Sequence, residues 1–311
     1  MHRRCWIKPG HKIIALAASL AAVSALAQTA TVSVTPSADA FVRALAPTSN
    51  YGGAGAIAVS GAAAVNGTGQ TNGIFDSVIR FPASSIVAAL DASLGTHDWF
   101  VTRATLWLTE MGAPPNSIFN RGAGTFEIRW IASDNWIEGT GIPALPTTNG
   151  INYQDLSELL NPVTDVPLGQ FANLGTDGRR SFVLNLVPAL IADLQSAGEV
   201  GFYLSAVSSQ IGFTADSRSF SSQTDWPVLE ITAMRRPDLR IDSIEIAAAQ
   251  RVSVNFDTVS NTLNVLESAD NLSFLNPSVL LAIPAQGITS HTNYIEAATN
   301  LCRFYRLRLS P

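Results

Sequence analysis

The chain has 311 residues, 47% hydrophobic and only 14% charged, with 19 basic residues, 24 acids and a formal net charge of −5. Its lysines, Lys8 and Lys12, both fall within the first 27 residues, so beyond them nineteen basic residues less four leaves 15 arginines against 24 acids, a net charge of −9. That composition excludes Schiff-base and phosphate-loop lysine chemistry in the remaining chain, and its field opposes nucleic acid and anionic membranes.

The first 27 residues read as a signal peptide. Arg3, Arg4, Lys8 and Lys12 precede the apolar run Ile13–Leu26, and Ala25-Leu26-Ala27 suits cleavage before Gln28. The run is short and rich in small residues for a membrane span, and no later run spans a bilayer, so the mature chain is expected to have no transmembrane segment. Arg3-Arg4-Cys5-Trp6-Ile7-Lys8 resembles a twin-arginine signal, but His2 stands where that pattern prefers Ser or Thr. Either route makes the protein exported: secreted, periplasmic or on the cell surface. Cys302 then remains as a lone cysteine in the apolar stretch Leu301–Leu309, where it reads as a buried thiol, and no intramolecular disulfide can form.

From Gln28, short alternating apolar runs between turn residues predict an all-β protein. Strands are expected at Thr31–Val34, Ala40–Arg43, Ile57–Ser60, Ser77–Phe81, Arg103–Glu110, Thr125–Ile131, Ser181–Leu186, Val200–Ala206 and Val228–Ala233. In Arg103–Glu110, Ala104, Leu106 and Leu108 face one way, and Thr105, Trp107 and Thr109 the other. Short helices are predicted at Ser84–Leu94, with a serine cap, at Asn152–Leu160, and at Val187–Ala197, with Pro188 in its first turn. The sum is a large jelly-roll-like β-sandwich (28–234) with capping helices. Pro237 breaks the last strand, and residues 235–240 read as a linker. A small C-terminal β-sandwich (241–311) follows, with strands near Ile241–Ala247, Arg251–Asp257, Thr262–Ser268, Asn293–Glu296 and Arg303–Leu309.

Several segments of the large region carry a resemblance in their order. Ala38-Asp39-Ala40-Phe41-Val42, then Pro47 and Asn50-Tyr51-Gly52, resemble the opening of DNRLRE-type domains. These are jelly-roll modules of secreted bacterial and archaeal proteins, related to a carbohydrate-binding module family that includes alginate binders. Ser77–Phe81, Arg103–Leu108, Asp134–Glu138, Ser181–Gln195 and Phe213–Glu230 are similar to the strands and loops that follow in that family. The resemblance covers Thr31–Ala233 and implies polysaccharide or cell-surface and matrix partners. The long loop Gly61–Gly73 and the segment Thr147–Leu174 depart from the pattern, so loop specificity does not transfer. Leu301–Leu307 resembles the ends of small fibronectin-like modules of secreted bacterial proteins.

The chemistry available is limited. His97 and His291 are the only histidines after the signal and lie in different predicted domains; with one cysteine they cannot supply a histidine-rich zinc site, and no G-x-S-x-G elbow is present. Asp134 and Glu138 flank Trp136 on one segment. One reading is a sugar site, with the indole against a pyranose ring and the carboxylates on its hydroxyls. The other has Trp136 filling a gap at a sandwich end while the acids bond loop backbone. Arg80 and Arg218 offer forked donors for a uronate, or pairs for local acids. Tyr51 sits in a turn whose glycines allow positive φ, and either packs or faces a ligand. A structural calcium is the cofactor to consider, with Asp39, Asn50 and Asp76 as candidate ligands. The resulting expectation is a non-catalytic exported module that binds polysaccharide or serves the cell surface or matrix. The alternatives are a scaffold for protein partners and, using paired carboxylates, a polysaccharide lyase or glycoside hydrolase.

Overall fold

The computed structural model describes residues 28–66, 68–111, 122–176, 178–196, 198–236, 241–247, 251–258, 263–270, 273–274, 276–284, 290–297 and 303–310. The expected signal peptide, most of the expected linker and Cys302 lie outside the described residues. The described chain falls into two compact units, Gln28–Arg235 and the residues from Arg236 onward. Both are built from antiparallel strands, as the alternating pattern predicts.

The large unit runs β1 (Thr29–Val34), β2 (Ala38–Arg43), β3 (Ala56–Ser60), β4 (Phe75–Pro82), α1 (Ala83–Leu94), β5 (Trp99–Glu110), β6 (Gly124–Ile131), α2 (Leu156–Leu159), β7 (Val166–Asn173), β8 (Gly178–Leu184), α3 (Pro188–Leu194), β9 (Glu199–Ala206), β10 (Gly212–Asp216) and β11 (Val228–Arg235). One layer has the order β1-β11-β5-β8, and the other β2-β4-β9-β6-β7. The β3–β10 pair joins them, through single pairings of Ala215 with Glu110 and of Ser60 with Phe75. This is a jelly-roll-like sandwich closed along one side.

Its core draws on both layers. Ala104, Leu106 and Leu108 of β5 meet Ile79 and Phe81 of β4, Phe126 and Ile128 of β6, and Phe202 and Leu204 of β9. The alternation read from β5 therefore holds, with Trp107 on the opposite face and half-buried. Helix α1 presents Ile86, Leu90 and Leu94 to this core, and α3 presents Leu190 and Leu194, so both close the sandwich. The expected serine cap of α1 is absent. Pro82 is the N-cap and makes no side-chain bond, because the helix starts directly from the end of β4. At its other end Gly95 has φ of 102°, a conformation that side chains rarely adopt.

The small unit is two three-stranded sheets. β12 (Ile241–Ala247), β13 (Arg251–Asp257) and β16 (His291–Ala297) form one, with β13 central. β15 (Ser278–Ile283), β14 (Leu263–Ala269) and β17 (Phe304–Ser310) form the other. Val252, Val254, Phe256 and Leu266 make the core, with Tyr294, Tyr305 and Leu307 against it.

Candidate functional site

The segment between β6 and β7 makes a third layer on the large unit. Successive residues of β4 point to opposite faces. Ile79 and Phe81 enter the sandwich core, whereas Val78 faces outward into a second apolar cluster. That cluster holds Ala38, Ala40 and Val42 from β2, with Ile131, Trp136, Ile151, Leu156 and Leu159 from the end of β6 and the segment after it. Tyr153 and Tyr203 pack at its margin. The β2-β4-β9 region is thus buried on both faces, and residues 132–165 form its outer cover.

Polar side chains fasten this cover. The Arg80 guanidinium donates from Nη1 to the carbonyls of Asp134 at 2.6 Å and Trp136 at 3.3 Å. It also lies 4.9 Å from the Trp136 ring centroid, a cation–π contact that holds the indole against the sheet. Glu138 reaches two distant elements: Oε1 accepts the backbone N–H of Asp39 at 3.2 Å, and Oε2 pairs with Arg218 Nη1. The Arg218 backbone N–H in turn donates to Asp39 Oδ2 at 2.8 Å. Fully buried Asn50 uses its whole amide. Nδ2 donates to the carbonyls of Glu138 at 2.7 Å and Ile151 at 2.8 Å, and Oδ1 accepts from the N–H groups of Gly52 at 3.2 Å and Gly141 at 3.1 Å.

The glycines of the Asn50-Tyr51-Gly52-Gly53 turn are needed for approach rather than for positive φ, contrary to the expectation from the turn sequence. Neither has positive φ. A Cβ on Gly52 would stand 2.0 Å from the Glu138 carbonyl oxygen, and one on Gly53 would stand 2.7 Å from that of Thr140.

The structure therefore brings together five residues singled out in the sequence, Arg80, Asp134, Trp136, Glu138 and Arg218, and joins Asp39 and Asn50 to them, while Tyr51 lies in a separate apolar cluster with Phe41, Ala58 and Phe75. The outcome departs from a stacking site. Trp136 and Tyr51 are each 6% exposed. Trp136 lies inside the second cluster, and Tyr51 stacks on Phe41 with centroids 4.7 Å apart and planes at 11°. Neither ring offers a free face to a sugar, because apolar packing on the sheet occupies both. Glu138 bonds a backbone N–H and a guanidinium, as in the structural reading of this segment, whereas Asp134 Oδ1 is buried without a hydrogen-bond partner.

The candidate calcium ligands do not converge. Asp39 lies opposite Ile79 and so shares its inward side, whereas Asp76 lies opposite Val42 on the outward side. The two are also three residues apart along the β2–β4 ladder, about 10 Å at the usual strand rise. Asn50 Oδ1 already accepts two backbone N–H groups. One ion, with ligands at roughly 2.3–2.6 Å, cannot take all three.

Burial sets the electrostatics. Asp39 is pushed up to about 7, first by desolvation, with the neighbouring Glu138 adding to the rise and the Arg218 backbone N–H opposing it. Asp134 is also pushed up to about 7 by burial, with Asp193 and Glu199 adding and Arg80 opposing. Burial likewise raises Glu138, and raises Asp76 to about 6 against a hydrogen bond from Tyr203. Asp39 and Asp134 are thus half-protonated near neutrality because they are dry. His97 is far more open, with a side chain 67% exposed, and its backbone N–H donates to Asp91 Oδ1 at 2.8 Å.

Sequence reasoning missed three partners. Asp193 and Glu199 join the Arg80–Asp134 group from α3 and β9, and nothing local marks them. Trp107 was legible only as an outward residue of β5. In the structure the Arg179 guanidinium of β8 sits 5.7 Å from its ring centroid, and Arg179 Nη1 donates to the Thr224 carbonyl at 2.7 Å.

No family model matches the chain, and no curated protein matches it. Solved structures match loosely. The structure of the Macrobrachium rosenbergii nodavirus covers 97% of this chain and 95% of its own length, at 9% identity and a TM-score of 0.22. The glycoside hydrolase domain of Endo-D from Streptococcus pneumoniae R6 matches over 88% of this chain at 9% identity and a TM-score of 0.16, and only 33% of that chain is covered. Likenesses this loose carry no argument about function. No helix among the described residues is long and apolar enough to cross a membrane.

Proposed function

We propose that this is a non-catalytic exported module that binds polysaccharide or serves cell-surface and matrix architecture, in keeping with its resemblance to DNRLRE-type domains. The observation that supports this reading is how the polar side chains are engaged. Arg80, Asn50, Glu138 and Arg218 bind backbone groups and each other, which makes the motif segments a fastening for the cover. On this reading glycan contact moves to the outer face of the β1-β11-β5-β8 layer. There the exposed Arg179 guanidinium lies over the ring of half-buried Trp107, which sets a forked donor for a sugar's polar substituents on an indole.

Affinity electrophoresis of the chain against neutral and acidic polysaccharides, with and without calcium, tests this while released sugar ends are assayed. The expected result is retardation without product, lost in Trp107→Ala. Product release would overturn the non-catalytic reading. A scaffold for protein partners is the second reading. It is favoured by Ile137, Ile142 and Leu145, which are 71%, 41% and 71% exposed on the cover segment. Absence of retardation on every glycan would move the assignment there.

A further inference from the structure

The small unit gathers metal-ligating side chains that the reading above does not use. On β13, Val252, Val254 and Phe256 face the core, so Ser253, Asn255 and Asp257 face outward. His291 of β16 lies directly opposite Asp257. On β12, Ile241 and Ile244 both pack on the core although they are three residues apart, which strict alternation forbids. The register shift between Ile241 and Ser243 absorbs the odd residue and leaves Asp242 beside the Asp257–His291 pair. His291 Nδ1 is then 2.9 Å from Asp257 Oδ1 and 3.9 Å from Asp242 Oδ2, and one ligand atom from each residue lies within 4.8 Å of the others.

We propose that Asp242, Asp257 and His291 form a surface site for a divalent transition metal of the zinc class. The imidazole selects zinc-like ions over calcium and magnesium, which prefer all-oxygen sites. Donors bound to one zinc at roughly 2.0–2.2 Å stand on the order of 3–3.5 Å apart. The His291–Asp257 spacing is already close to that, and Asp242 Oδ2, 3.9 Å from His291 Nδ1, would close by under about 1 Å to join them. Three protein donors leave the remaining positions to water. A hydrogen-bonded ladder stiffens the sheet next to the site: Asn293 Nδ2 donates to Asn255 Oδ1 at 2.5 Å and to Ser253 Oγ at 2.7 Å, and Asn255 Nδ2 donates to Ser243 Oγ at 2.8 Å. The site belongs to the other unit and is independent of glycan binding.

The test is calorimetric titration of the full chain, without a histidine tag, with zinc chloride, and with cobalt(II) absorption as a second readout. One saturable site is expected. Its affinity should fall roughly tenfold or more in His291→Ala and in Asp257→Asn, and should be unchanged in His97→Ala. Apo melting curves check that each variant folds. Should His291→Ala not fold, Asp242→Asn, a near-isosteric change at an exposed position, carries the test through a several-fold weakening. Absence of saturable binding up to millimolar zinc would reduce the cluster to a His–Asp hydrogen bond and overturn the proposal. Zinc bound equally well by His291→Ala would place the metal elsewhere, with His2, His11 and Cys5 as other donors, and would also overturn the proposal.

Discussion

Replacing Trp136 with alanine tests whether the segment over β2 and β4 is a packed layer. The indole is 6% exposed and lies among Ala38, Val78, Ile131, Ile151 and Leu156. Truncating a buried tryptophan costs about 3–5 kcal/mol in lost transfer energy and residual cavity. The Arg80 contact adds about 1 kcal/mol to the loss. In the other direction, Trp136 Nε1 is buried without a hydrogen-bond partner, so its removal relieves about 1 kcal/mol or more of desolvation. The two smaller effects offset each other, leaving about 3–5 kcal/mol. For a unit of this size that lowers the melting temperature by roughly 6–20 °C. Tryptophan fluorescence is the assay, because Trp99, Trp107, Trp130, Trp136 and Trp226 all lie in the large unit and residues 236–311 contain no tryptophan. The variant keeps four of those reporters. Trp136→Phe should come within about 1.5 kcal/mol of the parent, since it keeps most of the apolar volume and removes the unpaired N–H. A shift below about 3 °C in Trp136→Ala would refute the packed-layer reasoning and return the ring to a surface role.

Three further outcomes follow from the same network. Asn50→Ala should destabilise the large unit by about 3 kcal/mol or more, because four backbone groups lose their partner at a fully buried site, and Asn50→Asp should not restore it since a carboxylate cannot donate to the Glu138 and Ile151 carbonyls; chemical denaturation read by tryptophan emission measures both. Gly52→Ala should be among the most damaging single changes, because its Cβ meets backbone of Glu138 that cannot rotate away; loss of the cooperative melt or of soluble expression is the expected readout. The pH dependence has a definite sign. Asp39 and Asp134, at about 7 in the folded chain against 3.8 ordinarily, bind protons more tightly folded than unfolded, so stability is fullest below the ordinary carboxylate range and falls as pH rises through about 7. The fluorescence melting temperature should therefore drop between pH 5 and pH 8, and Asp39→Asn should flatten part of that slope.

What the sequence revealed depended on whether each signal was local. β5 was legible because its two faces meet different surroundings, core against the outer layer face. β7 was not, since Pro167 and Gly169 interrupt it, and β10 was not, since all five of its residues are buried and show no alternation. β15 failed for a related reason: Val279, Leu280 and Leu281 form a continuous apolar run. The residues of the network were legible, but their purpose was not. A tryptophan flanked by acids looks the same whether it stacks on a sugar or closes a layer, and only the sheet beneath it decides. Asn50 resembled a metal ligand because an amide oxygen serves an ion and two backbone N–H groups equally well.

The pairing of β1 with β11 has a mechanical consequence. These are the first and last strands of the large unit, they run antiparallel, and the Arg235 N–H donates to the Gln28 carbonyl at 2.8 Å, so the chain enters and leaves the unit at one point. Tension carried along the polypeptide would load the β1–β11 ladder from that end and open its hydrogen bonds one after another, rather than shear all of them at once. The unit should accordingly yield at low force, with β1 and its Ala30, Val32 and Val34 peeling from the margin of the core before the other strands part.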